Sequence, residues 1–303
     1  MIIFFTGTCA KYIDFASVCN AIDPPILKEV TYPWHGKDCY FGGAAGPYNG
    51  LFCIYTDVGG AFLWNPSTRK HFQVPQLHLP DEVETWSWGF GYDSNSDDYK
   101  VVMIVACSKQ LALDGTDKLT VYVYSLKSGL WERIADFPYF SIDLQHLAVC
   151  VGDALHWKVN EPYQYGSSLI VALHLGKLEY HLVPQPPIKT YKFDLGVLDG
   201  CLYAIYYNYD GSISLVMKEY GVEESWTLLI SCTGWSKFLV KPLAYTEDGD
   251  ELIFVTQSNL IVRCEFETGT FKTSIRRCLS HNLLSPLVYM PNLVCPQTGV
   301  RDG

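Results

Sequence analysis

The sequence predicts an all-β protein, a β-propeller of about six four-stranded blades with a range of about five to seven. Three observations support this fold class. The chain has 303 residues, of which 49% are hydrophobic and 15% aromatic, a composition that suits sheets more than helices. No stretch of helical length shows a sustained 3.6-residue period. Degenerate copies of one strand pattern recur roughly every 40 to 55 residues, which is the spacing of propeller blades.

The best-defined copy runs from residue 89 to Trp131. Residues 99–106 and 119–125 are β-branched or aromatic runs bounded by Gly, Asn, Asp or Ser, so each predicts a strand. A third strand is expected to start at Trp131. The segment SLKSG between the last two strands suits a tight turn in which Gly129 takes a positive φ.

Four further copies follow the same order of apolar strand, Gly or Asp turn, apolar strand and polar turn. A lone meander would leave its apolar face and two edges exposed, so the copies are expected to stack. No linker composition interrupts them, which predicts one domain over residues 1–303. Its parts are an atypical N-terminal region, 1–48, recognisable blades, 49–290, and a tail, 291–303. The four copies cover residues 49–75, 146–184, 195–229 and 239–271.

Net charge and cysteine usage exclude several classes of protein. The net charge of −10 argues against a nucleic-acid-binding surface. The opening MIIFFTGTCA lacks the basic residue and the length of a signal peptide, so a buried strand is expected there, and no apolar run is long enough for a membrane span. The 11 cysteines form no C-x-x-C pair and mostly fall in apolar strands, which predicts a reducing compartment, cytoplasmic or nuclear.

Motifs for catalysis, cofactors and metals are missing. Asp93, Asn95 and Asp97 match the first ligand spacings of a calcium loop, but Asp98 and Ile104 stand where Gly and Glu are needed, so a polar hairpin turn is expected. The eight histidines are scattered, and structural or surface roles are expected. We therefore expect no catalytic residues, no metal, no cofactor and no enzyme. A propeller hydrolase assembled from distant loops stays as an alternative.

The turn motifs resemble the plant F-box-associated domain, of the type found in S-locus F-box proteins. Among them, NPSTRK at 65–70, GFGYD at 89–93 and GDALHW at 152–157 are similar to family segments, although Asp153 stands where that family has Gly. The resemblance implies a kelch-like propeller. The remaining similar segments are 49–53, 97–102, 123–128, 198–202, 216–221, 224–227 and 284–287.

The resemblance implies a non-catalytic substrate-recognition module of an SCF (Skp1-cullin-F-box) ubiquitin ligase. Members of that family carry an N-terminal F-box that docks on a Skp1-type adaptor, but nothing before Asn49 resembles one. A Skp1-type adaptor and cullin are therefore expected partners only if an F-box is supplied elsewhere. A stand-alone scaffold or decoy that binds the same unidentified protein is the second hypothesis.

Exposed aromatic residues in long polar loops are the candidate partner-binding side chains, because they give large contact area at little entropic cost. Four other tryptophans, Trp64, Trp131, Trp157 and Trp226, are expected at corresponding core positions of the blades. The candidates for partner binding are Trp86, Trp88, Tyr163, Tyr165 and Trp235.

Overall fold

The computed structural model shows six four-stranded antiparallel sheets arranged as the blades of a β-propeller. In each blade the four strands form a meander from the inner strand at the central axis to the outer strand at the rim. The structure describes residues 1–19, 27–32, 41–56, 60–79, 83–111, 117–139, 147–160, 168–186, 188, 193–207, 211–233, 240–256, 261–265, 271–272 and 284–296.

Blade 1 takes three strands from the start of the chain, and blades 2 and 3 follow as uninterrupted meanders. A five-residue helix, α1 (Phe15–Cys19), lies between the second and third strands of the chain. The strands are β1 (Ile2–Phe5), β2 (Cys9–Ile13) and β3 (Lys28–Thr31) in blade 1, β4 (Phe41–Tyr48), β5 (Leu51–Thr56), β6 (Ala61–Trp64) and β7 (His71–Gln73) in blade 2, and β8 (Val83–Asp93), β9 (Asp98–Leu111), β10 (Asp117–Ser125) and β11 (Leu130–Arg133) in blade 3.

Blades 4 to 6 repeat the meander, and one turn of 3-10 helix (Glu223–Ser225) precedes the last strand of blade 5. The strands are β12 (Val149–Val151), β13 (Ala154–Asn160), β14 (Ser168–His174) and β15 (Glu179–Val183) in blade 4, β16 (Phe193–Leu198), β17 (Cys201–Tyr207), β18 (Gly211–Met217) and β19 (Trp226–Thr233) in blade 5, β20 (Val240–Tyr245), β21 (Glu251–Thr256), β22 (Ile261–Glu265) and β23 (Phe271–Lys272) in blade 6, and β24 (Leu284–Val288).

The last strand closes the ring. β24 is the inner strand of blade 1 and pairs antiparallel with β1, Ile2 opposite Val288. Met1 and Tyr289 extend this pairing. The nitrogen of Met1 donates a hydrogen bond of 2.9 Å to the carbonyl oxygen of Tyr289, and the N–H of Tyr289 donates one of 2.8 Å to the carbonyl oxygen of Met1. The atypical N-terminal region therefore supplies three strands of a blade, and the predicted buried N-terminal strand is confirmed, with Ile2 and Phe4 fully buried.

The hydrophobic core is divided into clusters that lie between neighbouring blades, at the boundaries called seams below. Each of six hydrophobic clusters in the described part of the chain joins one blade to the next, and the sixth joins blade 6 back to blade 1. Gly89 and Gly91 on β8 let the inner strand approach blade 4 closely. A Cβ on Gly89 would lie 2.6 Å from Leu155 Cδ1, and one on Gly91 would lie 2.5 Å from Cys150 Sγ.

The meander gives the propeller two distinct faces. On the first face lie the turns from inner to second strand and from third to outer strand. On the second face lie the turns from second to third strand and the connections between blades. The first-face turns have the left-handed residues that tight hairpins require, for example φ 44° and 75° at Asn49 and Gly50, and φ 70° at Gly129 as predicted. None of the helices in the described part of the chain is long and apolar enough to cross a lipid bilayer.

Two of the four tryptophans assigned to corresponding blade positions do correspond, and two do not. Trp131 and Trp226 both lie on outer strands, β11 and β19, whereas Trp64 is on the third strand β6 and Trp157 on the second strand β13. The prediction of equivalent positions is therefore wrong for Trp64 and Trp157. The side chains of Trp64 and Trp157 are nonetheless buried. Trp64 packs between blades 1 and 2, and Trp157 packs between blades 3 and 4.

Candidate functional site

The acidic turn that resembled a calcium loop is stabilised from within. Asp93 is buried, and its carboxylate accepts hydrogen bonds from the backbone N–H of Asn95 (3.2 Å), from the Ser96 hydroxyl, and from Lys100 Nζ (2.9 Å). Burial acts to raise the pKa of Asp93, but these hydrogen bonds and the Lys100 charge outweigh it, and the pKa is lowered. Asp93 therefore closes its own hairpin.

The same turn fastens blade 3 to blade 4. Lys100 Nζ donates a second hydrogen bond of 2.7 Å to the carbonyl oxygen of Leu175 in a first-face turn of blade 4. Ser94 donates both its N–H (3.2 Å) and its hydroxyl (2.7 Å) to the carboxylate of Asp153. The polar residues of these motifs are thus engaged in contacts between blades.

Asp98 joins the two first-face turns within blade 3. Its carboxylate accepts the Ser125 hydroxyl at 2.6 Å and the Lys127 N–H at 2.8 Å. Among the described residues, no group of three or more His, Cys, Asp or Glu side chains is arranged to hold a metal ion.

The side chain of Asn65 binds the segment that follows β24 to blade 2. Its Nδ2 donates to the carbonyl oxygens of Asn292 (3.2 Å) and Val294 (2.9 Å). Its Oδ1 accepts the Ser67 N–H and the Tyr289 hydroxyl, both at 2.9 Å. The NPSTRK motif, which resembles a segment of the F-box-associated domain, therefore contributes hydrogen bonds that hold the closed ring together. Asn65 itself is fully buried.

A hydrogen-bonded chain of side chains crosses the seam between blades 4 and 5. The register places His156, Ala172 and His181 side by side on the second, third and outer strands of blade 4. Tyr220, from a first-face turn of blade 5, places its hydroxyl 2.7 Å from His156 Nε2 and 3.0 Å from His181 Nε2. The small Ala172 leaves room between the two imidazoles. Sequence analysis missed this group, because only the register reveals that the two histidines are neighbours.

The partners of His156 fix the direction of these hydrogen bonds. Nδ1 lies 3.1 Å from the carbonyl oxygen of Val149, which can only accept, so Nδ1 carries the proton and Nε2 accepts from the Tyr220 hydroxyl. His181 Nε2 then donates to the Tyr220 oxygen. Burial lowers the pKa of His156 to about 4, lowers that of His181, and raises that of Tyr220 to about 12. The group is neutral near pH 7.

The first two candidate partner-binding residues lie on the inner strand of blade 3. Trp88 is a core residue, only 6% exposed, with its ring stacked on Tyr55 at a centroid distance of 5.0 Å. Its side chain fills the seam between blades 2 and 3 and is not available to a partner in this structure. Trp86 lies two residues earlier on β8, and its side chain is outside the described part of the structure.

Tyr163, Tyr165 and Trp235 lie outside the described residues. The strand ends that flank them in the sequence are those of β13 and β14 for the two tyrosines and those of β19 and β20 for the tryptophan. All four of these strand ends are at the second face. The prediction that these residues contact a partner stays a prediction.

The first-face turns that the structure describes are rich in charged residues. Most first-face turns that the structure describes carry Lys, Arg, Asp or Glu, for example Lys127, Asp153, Lys177 and Asp199. The described connections at the second face contain one charged residue, Asp136, which is paired with Arg133 at 2.8 Å. These second-face connections are residues 6–8, 74–79, 134–139 and 184–186.

A small cleft opens at the seam between blades 4 and 5, lined by residues of β12, β13 and β16 and by Leu147. Lys158 Nζ lies 5.5 Å from the centre of the Phe193 ring, a cation–π contact. Among its described lining residues the single carboxylate is Asp194. A pair of carboxylates, as in the common glycosidases, is not present among these residues.

The chain matches the F-box associated beta propeller domain over residues 45–276, which is most of its length. It belongs to that family. The F-box protein CPR1 of Arabidopsis thaliana is 32% identical over 269 residues, covering 78% of this chain and 64% of CPR1. An F-box/kelch-repeat protein of the same plant is 27% identical over 271 residues, covering 86% of this chain and 70% of that protein. A third F-box protein of that plant is 30% identical over 234 residues, covering 68% of this chain and 56% of the relative.

This F-box-associated propeller therefore spans less than two thirds of CPR1 and of the third relative. The family match begins at residue 45, yet the structure shows that strands from the first 32 residues complete blade 1. The family match thus covers blades 2 to 6 and does not reach the strands of blade 1.

Proposed function

We propose that this F-box-associated propeller is a non-catalytic protein-binding module and that it captures its partner on the second face. The observation that carries the proposal is that the polar side chains of the first-face motifs are already used in contacts within the propeller. First-face side chains such as Asp93, Asp98 and Asn65 are engaged in hydrogen bonds that hold turns and blades together. The candidate residues Tyr163, Tyr165 and Trp235 lie in the sequence between strands whose adjoining ends are at the second face, and aromatic residues are enriched in protein interfaces.

Family membership supports the ligase context. The similar proteins are named as F-box proteins, and the family resemblance implies that they present a captured protein to a ubiquitin ligase through a Skp1-type adaptor. We propose the same role for this chain, with the F-box supplied by a further segment or by another protein. The strands and the short helix described before Asn49 support the absence of an F-box from residues 1–48.

The stand-alone scaffold or decoy is the alternative within the same class of binding protein. It would capture the same partner on the same face without recruiting a Skp1-type adaptor. The two roles differ in which proteins accompany the chain, so a single purification separates them.

The test is quantitative affinity purification of the tagged chain from its native tissue, with the proteasome inhibited and the retained proteins read by mass spectrometry. The second-face variant combines Tyr163→Ala, Tyr165→Ala and Trp235→Ala. The control is Leu130→Ala, an exposed residue at the first-face end of β11. Both variants are compared with the unmodified chain for melting temperature.

We expect the second-face variant to lose specific partners by about tenfold or more, as for interface aromatic residues, and the control to retain them. Recovery of a Skp1-type adaptor and a cullin supports the ligase role, and specific partners without them support the scaffold or decoy. An identical set of partners for all three proteins at unchanged melting temperature would contradict binding on the second face.

A further inference from the structure

Three side-chain donor atoms meet at one point of the seam between blades 4 and 5. The hydroxyl oxygen of Tyr220 lies 2.7 Å from His156 Nε2 and 3.0 Å from His181 Nε2. The two histidines are on the second and the outer strand of one sheet, with Ala172 between them. Strands two apart are separated by roughly 9.5 Å, so two imidazoles turned toward one another leave space for one small ion between their nitrogens. We call His156, His181 and Tyr220 the His–Tyr group.

His156 has the tautomer that a metal-binding histidine needs. Its Nδ1 donates to the carbonyl oxygen of Val149 at 3.1 Å, so the lone pair of Nε2 is directed at the Tyr220 hydroxyl. Histidines that bind metals almost always donate their other ring N–H to a carbonyl or carboxylate in this way, which fixes the ring and raises its basicity. His156 is also fully buried, so packing holds its ring in this orientation.

His181 can supply a second ligand through a change of tautomer. In this structure its Nε2 donates to the Tyr220 oxygen. No described residue forms a hydrogen bond with Nδ1 of His181, and the residue is exposed, so water can carry the proton from Nε2 to Nδ1. The lone pair of Nε2 then faces the same point as that of His156.

Tyr220 supplies the third donor and covers the entrance to the group. It is 44% exposed and lies on a first-face turn, so rotation of its side chain uncovers His156 Nε2 without opening the seam. Among the described residues, no third His, Cys, Asp or Glu side chain completes a metal-binding group with the two histidines. The phenol oxygen is therefore the donor that the protein offers, and water fills a fourth position.

We infer that the His–Tyr group binds one Zn²⁺ ion, a cation for which imidazole is a preferred ligand. The ion is held by Nε2 of His156, Nε2 of His181, the oxygen of Tyr220 and one water molecule. The hydroxyl proton of Tyr220 passes to solvent as the oxygen binds the ion. Zinc–nitrogen bonds of about 2.0–2.1 Å are shorter than the hydrogen bonds they replace, so the exposed His181 and Tyr220 move toward the buried His156.

His174 provides a matched control on the same sheet. It is near His181, and burial together with the His174 charge lowers the pKa of His181. Nδ1 of His174, however, accepts the N–H groups of Gly176 and Lys177, at 3.1 and 3.3 Å. Nε2 of a neutral His174 therefore carries the ring proton, and this imidazole has no lone pair free for an ion.

This inference goes beyond the capture of a partner protein and does not depend on it. The ion would join blade 4 to blade 5 on the first face, whereas the proposed partner binds on the second face. One chain can therefore hold both at once.

The experiment is calorimetric titration of the purified full chain with Zn²⁺ alone, after treatment with a chelator and its removal. The near-ultraviolet difference spectrum, recorded in parallel, detects formation of a phenolate. The ligand variants are His181→Ala and Tyr220→Phe, which change exposed residues and leave the buried His156 in place, and His174→Ala is the control. Melting temperatures without zinc establish that each variant is folded.

We expect one Zn²⁺ per chain, a phenolate signal that Tyr220→Phe abolishes, and a higher melting temperature with zinc, because the ion binds the native state. Each ligand variant should weaken the affinity by about tenfold or more, since loss of an outer-shell partner alone costs about 10–100-fold. His174→Ala should leave the affinity unchanged.

The inference would be overturned by the absence of saturable binding, by several equivalent sites per chain, or by binding without a phenolate signal. Equal affinities of the ligand variants and the unmodified chain, or an equal loss in His174→Ala, would overturn it as well. The titration contains no partner protein, so its failure leaves the proposed capture on the second face untouched, and the converse also holds.

Discussion

The indole Nε1 of Trp226 donates a hydrogen bond of 2.9 Å to the carbonyl oxygen of Pro184. The acceptor follows the outer strand of blade 4, and the donor lies on the outer strand of blade 5. Trp131 makes the equivalent bond of 2.7 Å from blade 3 to Pro75, two residues after the outer strand of blade 2. A tryptophan on an outer strand thus fastens the rim of one blade to the rim of the preceding one at two seams.

Replacing the indole by a phenyl ring should show how much this hydrogen bond contributes to the free energy of unfolding. We expect Trp226→Phe to lower the free energy of unfolding by about 1–3 kcal/mol, because the partly buried carbonyl of Pro184 loses its donor, and Trp131→Phe to lower it by about 1 kcal/mol or less, because Pro75 is exposed to water. Denaturant unfolding measures the change. The double variant should show an additive loss, since the two bonds share no residue. A loss below about 0.3 kcal/mol for both would mean that water replaces the indole.

Removal of the Asn65 amide should weaken ring closure. We expect Asn65→Ala to lower the free energy of unfolding by roughly 2–4 kcal/mol, because the carbonyl oxygens of Asn292 and Val294 and the Tyr289 hydroxyl all lose a partner. Thr68→Ala, in the same turn, is the control and should change stability by less than about 1 kcal/mol. Equal effects of the two substitutions in urea denaturation would contradict the role of Asn65 in holding the segment that follows β24.

The buried His156 should make stability depend on pH. Its native pKa of about 4 lies below the ordinary value of 6.5. Between these values the unfolded chain binds more protons than the native one, so stability is full above about pH 6.5 and falls as the pH drops toward 4. The loss is on the order of 3 kcal/mol.

Chemical denaturation at a series of pH values measures this slope. His156→Leu should reduce the slope between pH 4 and 6.5, because its titration is gone and that of His181 remains, and His78→Leu, at an exposed position, is the control. A wild-type curve that is already flat over this range would show that His156 keeps an ordinary pKa in the native protein.

The two glycines of GFGYD should not tolerate a methyl group. A Cβ at Gly91 would lie 2.5 Å from Cys150 Sγ and 2.7 Å from Leu175 Cδ1. We therefore expect Gly91→Ala to cost about 1–3 kcal/mol through overpacking. Gly7→Ala is the control, since nothing lies within 4 Å of its added Cβ. Thermal unfolding of both variants measures the difference, and similar melting temperatures would mean that blade 4 moves aside at little cost.

Local pattern predicted much of blade 3. The β-branched and aromatic runs at residues 99–106 and 119–125 fall within β9 and β10, and the predicted positive φ of Gly129 is confirmed. These features depend on neighbours in the sequence, through strand propensity and the steric freedom of glycine. The predicted ring of about six blades is likewise confirmed. It could be predicted because the chain length and the spacing of the repeat together limit the number of blades.

Features that depend on distant residues could not be predicted. The join between β24 and β1 links residues 286 positions apart, Val288 and Ile2, and no local pattern encodes it. The meeting of His156 and His181 on Tyr220 depends on strand register across two blades. Burial of Trp88 depends on Tyr55 of the neighbouring blade, so an aromatic residue near a polar loop was indistinguishable from a partner contact.

The pairing of β24 with β1 sets an order of events during synthesis. Blades 2 to 6 can complete their sheets as each meander leaves the ribosome, because a chain folds from its N-terminal side. Strands β1 to β3 of blade 1 precede blade 2 in the sequence, yet blade 1 lacks its inner strand until β24 has been synthesised. For that interval the ring stays open with β1 unpaired along one side, and an open strand edge recruits other chains. The nascent propeller therefore most needs a chaperone along the open edge of β1, and a ribosome that stops before β24 releases five complete blades and an exposed edge.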